Sequence, residues 1–214
     1  MRYSTVIFDF GGVVTSSPFE AFNRLEAERG LPHDLVRKVN STNPDSNAWA
    51  KFERAEVGAD DFDALFAAEA AALGHDLRGA DVLTCLSGDV RPRVVAAMDS
   101  LKASGFRLGC ITNNVPTGEG PGMSRTLGKA AEVADAMTRF EHIIESSKAG
   151  VRKPDPRIYQ MMCELLGVEP AACIYLDDLG INCKPASALG MHAIKVTGEA
   201  QALADLGRAT GLNF

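Results

Sequence analysis

Four short apolar runs, each ending at a turn or a charged residue, constrain the fold of this chain more than any other feature. They occupy residues 5–10 (TVIFDF), 107–112 (RLGCIT), 173–177 (CIYLD) and 192–196 (HAIKV). Such short runs with few polar residues predict strands that are buried on both faces of a sheet. Helical patterns lie between them, at residues 93–104 and 156–166. Strands that alternate with helices predict a parallel, doubly wound α/β sheet.

One segment breaks this alternation. Residues 18–83 are rich in Ala, Glu and Leu at helical spacing and contain no convincing strand. We therefore expect a small helical cap at residues 18–83, inserted after the first strand of a Rossmann-like core that comprises residues 1–17 and 84–214. A turn-rich loop at residues 115–122 and a helix at about residues 125–140 belong to the predicted core.

Composition limits the partners of the protein. The formal net charge of -6 over 214 residues offers no basic surface for nucleic acid. No apolar stretch approaches the roughly 18 residues that a spanning helix requires, and the N-terminal run is too short for a signal peptide, so we expect a cytoplasmic protein without a membrane partner. The five cysteines form no CxxC pair and are expected to be reduced and buried. The sequence carries no signal of oligomeric state.

Polar side chains stand at the ends of three of the predicted strands. Asp9, Thr112 and Asp177 fall at carboxyl ends, where doubly wound sheets bind their ligands. Asp9 and Thr112 also have ordinary structural explanations, because an Asp before Gly-Gly forms turns and a Thr followed by Asn can cap a helix. Lys153 precedes a helix that begins after Asp155, and a lysine at such a position is usually solvated.

The adjacent carboxylates of Asp177 and Asp178 predict a metal site. An apolar strand that runs into two acids concentrates negative charge unless a cation or hydrogen-bond donors compensate it. Carboxylates, a main-chain carbonyl and water are the ligands that Mg²⁺ prefers. Zn²⁺ is disfavoured because no His or Cys cluster accompanies the acids.

The order and spacing of four segments resemble a known family. The runs VIFDFGGV, LGCITNN, GVRKPDPRIY and IYLDDLGIN resemble the four ordered motifs of the haloacid-dehalogenase-like (HAD-like) hydrolase superfamily, across nearly the whole chain. The last two runs, followed by LGM at residues 189–191, are similar to phosphatase domains of the kind found in the N-terminal half of soluble epoxide hydrolases. The resemblance implies a Mg²⁺-dependent hydrolase, and a phosphatase first of all.

The same resemblance implies which residues hold the metal and which one attacks. Asp9 would be the nucleophile that forms an aspartyl-phosphate. Mg²⁺ would be bound by Asp9, by the main-chain carbonyl of Gly11 and by Asp178, while Asp177 would serve the metal through water. Asn182 would orient the metal carboxylates without touching the ion.

The remaining implied roles concern the substrate. Thr112 and the amide of Asn113 would bind the phosphoryl oxygens, and Lys153 would neutralise charge on Asp9 and on the transferred group. The cap would exclude water and select the substrate, which we expect to be a small organic phosphate. No residue of the sequence identifies that substrate further.

Gly11 departs from the family pattern. Phosphatases of this superfamily usually carry a second Asp two residues after the nucleophile as the general acid and base, and a glycine transfers no proton. A catalytically weak or silent module that binds Mg²⁺ and a phosphorylated ligand is therefore an alternative. A carbon–halogen hydrolase is another, since dehalogenases also lack this acid, although they need no metal and the Asp177–Asp178 pair opposes that assignment.

Overall fold

A five-stranded parallel sheet forms the centre of the protein. The structure is a computed structural model that describes residues 3–115 and 127–214. The strands of this part of the chain are β1 (Thr5–Phe8), β2 (Arg107–Thr112), β3 (His142–Glu145), β4 (Cys173–Asp177) and β5 (His192–Lys195). They lie in the order β3-β2-β1-β4-β5, and all neighbouring pairs are parallel. The doubly wound sheet expected from the sequence is confirmed.

Two predicted strands match the structure at both ends, and the others differ in detail. The predicted bounds of β2 and β4 are those observed, whereas β5 ends one residue earlier than expected and β3 was not expected. The first strand ends at Phe8 rather than at residue 10, because Phe10–Val14 forms a turn that is closed by the hydrogen bond from the backbone N–H of Thr15 to the Phe10 carbonyl. Gly12 has φ = 79° in this turn, a conformation that glycine adopts without steric cost.

Helices cover both faces of the sheet. They are α6 (Pro92–Ala103), α7 (Leu127–Met137), α8 (Ser146–Ala149), α9 (Pro156–Leu166), α10 (Gly180–Ala188) and α11 (Glu199–Thr210). Successive residues of a strand point to opposite faces, so Val6 and Phe8 pack with residues of α6, α7 and α11, whereas Ile7 packs with residues of α9. The central strands are therefore buried on both sides, as their continuous apolar runs predict.

The signals for helix ends in the sequence are confirmed at α9. The Asp155 side chain accepts a hydrogen bond from the backbone N–H of Arg157, Pro156 is the first helical residue, and Gly167 ends the helix with φ = 58°. The helix predicted at about residues 125–140 is α7, which is shorter. Residues 125 and 126 lie outside the described part of the chain, and so does the predicted loop after Val115.

Residues 18–83 are helical, as expected. They form α1 (Pro18–Glu28), α2 (Leu35–Ser41), α3 (Ala48–Glu53), α4 (Ala59–Ala72) and α5 (Gly79–Leu83), which we call the helical insert. The insert has an apolar core of its own, in which Phe52 stacks on Phe62 and Trp49 meets Phe62 edge to face. Val115, just after β2, packs into this core. The domain boundaries at residues 17/18 and 83/84 remain a prediction.

The two connections between the insert and the sheet run side by side. Thr15 forms an isolated antiparallel bridge with Val90. The backbone N–H of Ser16 donates to the Asp89 carbonyl at 2.8 Å, and that of Arg91 donates to the Val14 carbonyl at 2.9 Å. The chain thus enters and leaves the insert at neighbouring points.

Two further expectations concern the whole chain. All five cysteines are free, as expected, and four of them are buried; Cys85 is only partly buried, so the expectation of burial fails there. Within the described residues, none of the helices combines the length and the apolar character that crossing a membrane requires.

Candidate active site

The carboxyl ends of the central strands bring the predicted site residues together. Asp9 directly follows β1, and Asp177 is the last residue of the neighbouring strand β4. Carboxylate oxygens of Asp9, Asp177 and Asp178 lie within 4.8 Å of one another. The side chain of Lys153, which comes from the loop before α9, lies between the first two carboxylates.

The two oxygens of Asp9 have different surroundings. Its Oδ1 accepts hydrogen bonds from the backbone N–H of Phe10 at 2.7 Å and from Lys153 Nζ at 2.8 Å. Its Oδ2 accepts none from the residues that the structure describes. One oxygen is thus fixed by donors, while the other has no donor in the described part of the chain, an arrangement that would suit a carboxylate nucleophile.

Lys153 is buried, and its ammonium group has three oxygen partners. Its side chain is 1% exposed, and Nζ contacts Asp9 Oδ1 at 2.8 Å, Asp177 Oδ2 at 2.9 Å and the Ile111 carbonyl at 3.0 Å. Burial disfavours the charged amine, but Asp177 and Asp9 outweigh this and hold the pKa of Lys153 above its usual range. The solvated lysine that is usual before a helix is therefore not what the structure contains.

Asp177 is saturated with hydrogen-bond donors. Its carboxylate is completely buried and accepts from Lys153 Nζ, from Tyr175 Oη at 2.5 Å, from the backbone N–H of Leu179 at 2.8 Å and from Asn182 Nδ2 at 3.1 Å. Both oxygens take part. These donors compensate the cost of burying the charge.

Asp178 has few donors and lies against a glycine. Among the described residues, only the Ser17 hydroxyl donates to its side chain, at 3.2 Å from Oδ2. A Cβ atom at Gly12 would overlap that same oxygen, so the close approach of Asp178 to the turn after Asp9 requires a glycine. Asp178 is thus held next to Asp9 while much of its capacity to accept donors or a cation is unused.

The acids of this cluster outnumber the bases that contact them. Asp9, Asp177 and Asp178 carry three formal negative charges, and Lys153 supplies one positive charge. Burial raises the pKa of Asp9, and the neighbouring acids add to this while Lys153 opposes it. Burial and Asp177 raise the pKa of Asp178 to about 6. A divalent cation would balance the charge, and an all-oxygen donor set suits Mg²⁺.

The predicted phosphate-binding residues adjoin this cluster. Thr112 ends β2 and is buried as a residue, and its hydroxyl makes no hydrogen bond to the described residues. Asn113 Oδ1 accepts from the backbone N–H of Lys153 at 2.9 Å, and its Nδ2 donates to the Lys153 carbonyl at 3.0 Å. Asn113 therefore fixes the end of β2 to the loop that carries the lysine.

Three residues that contact the site were not predicted from the sequence. Tyr175 precedes Asp177 by two positions in β4 and so shares its face of the sheet, a relation that period-two alternation could have revealed. Arg91 donates from NH1 to the Gly12 carbonyl at 2.9 Å and supports the turn after Asp9. Glu53 contacts Asn113 from the insert. No local sequence signal marks Arg91 or Glu53, because their partners are distant along the chain.

Two relatives and a solved structure are similar to this chain. Bifunctional epoxide hydrolase 2 of Mus musculus is 35% identical over 125 residues, which are 58% of this chain and 22% of that protein. Phosphatase MT3486 of Mycobacterium tuberculosis is 32% identical over 108 residues, 50% of this chain and 45% of that protein. The chain therefore spans less than half the length of either relative.

The solved structure is that of an HAD family enzyme from Bacteroides thetaiotaomicron in complex with magnesium and inorganic phosphate. Its TM-score is 0.60 with 15% identity, over 92% of this chain and 96% of that one, and at this identity it shows the fold alone. The family model for haloacid dehalogenase-like hydrolases matches residues 3–190. With that match over most of its length and the strand-end carboxylates in place, the chain belongs to the haloacid dehalogenase-like hydrolases.

Proposed function

We propose that the protein is a Mg²⁺-dependent phosphomonoester hydrolase that acts on a small organic phosphate. The observation that carries the proposal is the asymmetry of Asp9, whose Oδ1 is held by Lys153 and Phe10 while Oδ2 accepts no hydrogen bond from the described residues. The phosphatase named among the relatives, and the magnesium and phosphate in the Bacteroides structure, support the same chemistry.

In this mechanism Asp9 Oδ2 attacks phosphorus and the bond to the leaving oxygen breaks. The resulting aspartyl-phosphate is then hydrolysed by water, which regenerates the carboxylate and releases inorganic phosphate. The Thr112 hydroxyl and the backbone N–H of Asn113 bind phosphoryl oxygens. Lys153 already contacts Asp9, so its ammonium is in place to offset the charge that accumulates on the transferred group.

The residues present fit a Mg²⁺ ion. Asp9, the carbonyl of Gly11 and Asp178 would hold it, and Asp177 would serve it through water. When bound, the ion screens the repulsion between the nucleophile and an anionic substrate. Because Asp177 already accepts donors at both oxygens, its main contribution is to fix Lys153, and Asn182 in turn fixes Asp177.

The helical insert would act as a cap. Its helices and Val115 form one apolar cluster next to the end of β2, where the phosphate-binding residues lie. We propose that residues 18–83 cover the site during turnover, exclude water and contact the organic part of the substrate.

A catalytically silent phosphate-binding module is the second candidate, and Gly11 favours it. The position two residues after Asp9 has no side chain to protonate the leaving oxygen. Such a module would bind Mg²⁺ and a phosphorylated ligand at the same residues and would release no phosphate at steady state.

One assay separates the candidates. Release of inorganic phosphate from aryl, acyl, sugar and alkyl phosphates is measured with Mg²⁺ and with EDTA, alongside halide release from a 2-haloacid. We expect phosphate release that EDTA abolishes and added Mg²⁺ restores. Halide release that EDTA leaves unchanged would identify a dehalogenase. Phosphate binding without any turnover would identify the silent module.

A further inference from the structure

Glu53 connects the helical insert to the candidate active site. It is the last residue of α3, and its side chain is buried although it carries a carboxylate. Its Oε2 accepts from Arg152 Nε at 2.5 Å and from Asn113 Nδ2 at 3.3 Å, and its Oε1 accepts from Trp49 Nε1 at 2.9 Å. Both oxygens are therefore held by donors, two of which come from outside the insert.

Arg152 holds the insert at a second point. Its NH1 donates to the carbonyl of Pro44, in the loop before α3, at 2.9 Å. This arginine directly precedes Lys153 in the chain, and it is 99 residues from Glu53. One guanidinium thus binds two parts of the insert and lies in the same loop as the buried lysine of the site.

Asn113 completes the connection. The same amide nitrogen that donates to Glu53 also donates to the Lys153 carbonyl, and the amide oxygen accepts from the Lys153 backbone N–H. A displacement of Glu53 would therefore act on the end of β2 and on the lysine loop together. These two segments supply the residues that would bind the phosphoryl group.

We propose that Glu53 is a positioning residue of the site, through which docking of the insert fixes Asn113 and the Arg152–Lys153 segment. The inference rests on the proposed phosphatase function for its kinetic consequence, but not for the coupling itself. Glu53 does not act as the missing general acid, because both its oxygens already accept hydrogen bonds and its neighbour is a guanidinium. Its effect passes through the residues that it holds.

A nearby pair provides a matched control. Arg54 Nε donates to Glu56 Oε1 at 2.6 Å, so this pair is also a carboxylate and a guanidinium in the insert. Its two residues lie only two positions apart, are exposed at this contact and, among the described residues, make no hydrogen bond with Asn113 or Lys153. Exposed pairs of this kind contribute little to stability. Glu56→Gln therefore removes the same charge from the same region without touching the connection.

The test compares Glu53→Gln with Glu56→Gln in the full chain with Mg²⁺ present. We expect Glu53→Gln to lower kcat/KM for p-nitrophenyl phosphate by about tenfold to about a hundredfold, the usual range for losing a buried charged hydrogen bond. Glu53→Asp should recover part of this loss, and Glu56→Gln should match the wild type. Hydrogen exchange of residues 111–115 and 151–155 should accelerate about tenfold in Glu53→Gln only.

Two results would overturn the proposal. One is a Glu53→Gln protein whose kinetics and local exchange match those of Glu56→Gln. The other is faster exchange throughout the chain, which would show a general loss of stability instead of a local effect. A wild-type protein that hydrolyses no phosphate ester would contradict the proposed function, while the exchange comparison would still decide whether Glu53 couples the insert to the site.

Discussion

The two sides of the carboxylate cluster are built differently. On the lysine side, Asp177 and Asp9 Oδ1 accept hydrogen bonds from buried donors, and Lys153 is fully paired. On the glycine side, Asp178 accepts from the Ser17 hydroxyl alone among the described residues, and Asp9 Oδ2 accepts from none of them. Asp177 and Asp178 are adjacent at the end of β4, yet one carboxylate is surrounded by donors and the other has few.

On the lysine side, folding alone supplies the donors and the charge that the carboxylates need. On the glycine side, a bound ligand must supply them. The lysine side balances its charges within the protein and needs nothing further. The glycine side has few donors: burial and Asp177 raise the pKa of Asp178 to about 6, and burial raises the pKa of Asp9 although Lys153 opposes this. A buried site with uncompensated acids gains most from a cation. The comparison can be tested by the same acid-to-amide change on each side.

The largest effect is expected at Asp9, which belongs to both sides. Asp9→Asn keeps an oxygen for the donors at Phe10 and Lys153 but replaces the nucleophile, so kcat should fall at least about 10³-fold. Because burial already favours the neutral acid, the melting temperature should not fall. Phosphate release and thermal unfolding measure the two quantities, and turnover near the wild-type rate would remove Asp9 from the mechanism.

The next largest effect is expected on the lysine side. Asp177→Asn places an amide NH₂ among four donors and leaves Lys153 with less compensation for its charge. We expect the free energy of unfolding to fall by about 3–5 kcal/mol, as when one partner of a buried ion pair is removed. Urea unfolding without metal measures this change. A loss below 1 kcal/mol would mean that the donors are not what stabilises this side.

At Asp178, the same acid-to-amide change is expected to raise the free energy of unfolding instead of lowering it. The pKa of Asp178 is raised to about 6, so the folded protein holds this proton more tightly than the unfolded chain does. The metal-free protein should therefore lose stability as pH rises from about 4 to about 6, by at most about 3 kcal/mol. Asp178→Asn should remove that loss, and the variant should be more stable than the wild type above pH 6.

The same variant should bind Mg²⁺ more weakly. In the wild type, saturating Mg²⁺ should restore stability above pH 6, by about 2.7 kcal/mol at a concentration of 100 times Kd. In Asp178→Asn this gain should be much smaller. Urea unfolding between pH 4 and pH 8, with and without Mg²⁺, measures both effects, and equal Mg²⁺ affinity in the two proteins by calorimetry would contradict the metal assignment.

The smallest effect is expected at Gly11. A Cβ atom there would meet nothing within 4 Å, and its φ of -68° suits any residue, so Gly11→Asp can be accommodated without strain. If the wild type lacks a general acid, kcat/KM should fall steeply as the pKa of the leaving group rises. The new carboxyl should reduce that dependence by up to about 10², the lower end of general acid catalysis. A flat wild-type plot would show that another group supplies the proton.

The sequence predicted the sheet and the central carboxylates for a physical reason. Strands buried on both faces are continuous apolar runs, and parallel strands place their carboxyl ends together. The sequence alone therefore indicates that Asp9 and Asp177 lie close together. The short strand β3 was missed because it lies at the sheet edge, with three of its four residues only partly buried.

Contacts between distant segments could not be predicted in this way. Glu53 reads as an ordinary acid in an Ala-rich helix, and only its hydrogen bonds to Asn113 and Arg152 distinguish it. The end of the first strand was predicted two residues too late, because Phe10 continues the apolar run past Asp9 although it already belongs to the turn. The local sequence pattern indicates which residues are buried and whether a segment is a helix or a strand. Which distant residue a side chain contacts depends on packing across the whole chain.

The paired connections at Thr15 and Val90 have a consequence for how such a protein can diversify. Because the chain leaves the sheet and returns to it at neighbouring points, the ends of the insert are already in place for a different segment. We expect that lengthening, shortening or replacing the helices between these points would leave the strand order unchanged. We therefore expect that a graft between the two connections could alter ligand preference while the carboxylates stay at the strand ends, provided that it keeps an acid at the position of Glu53.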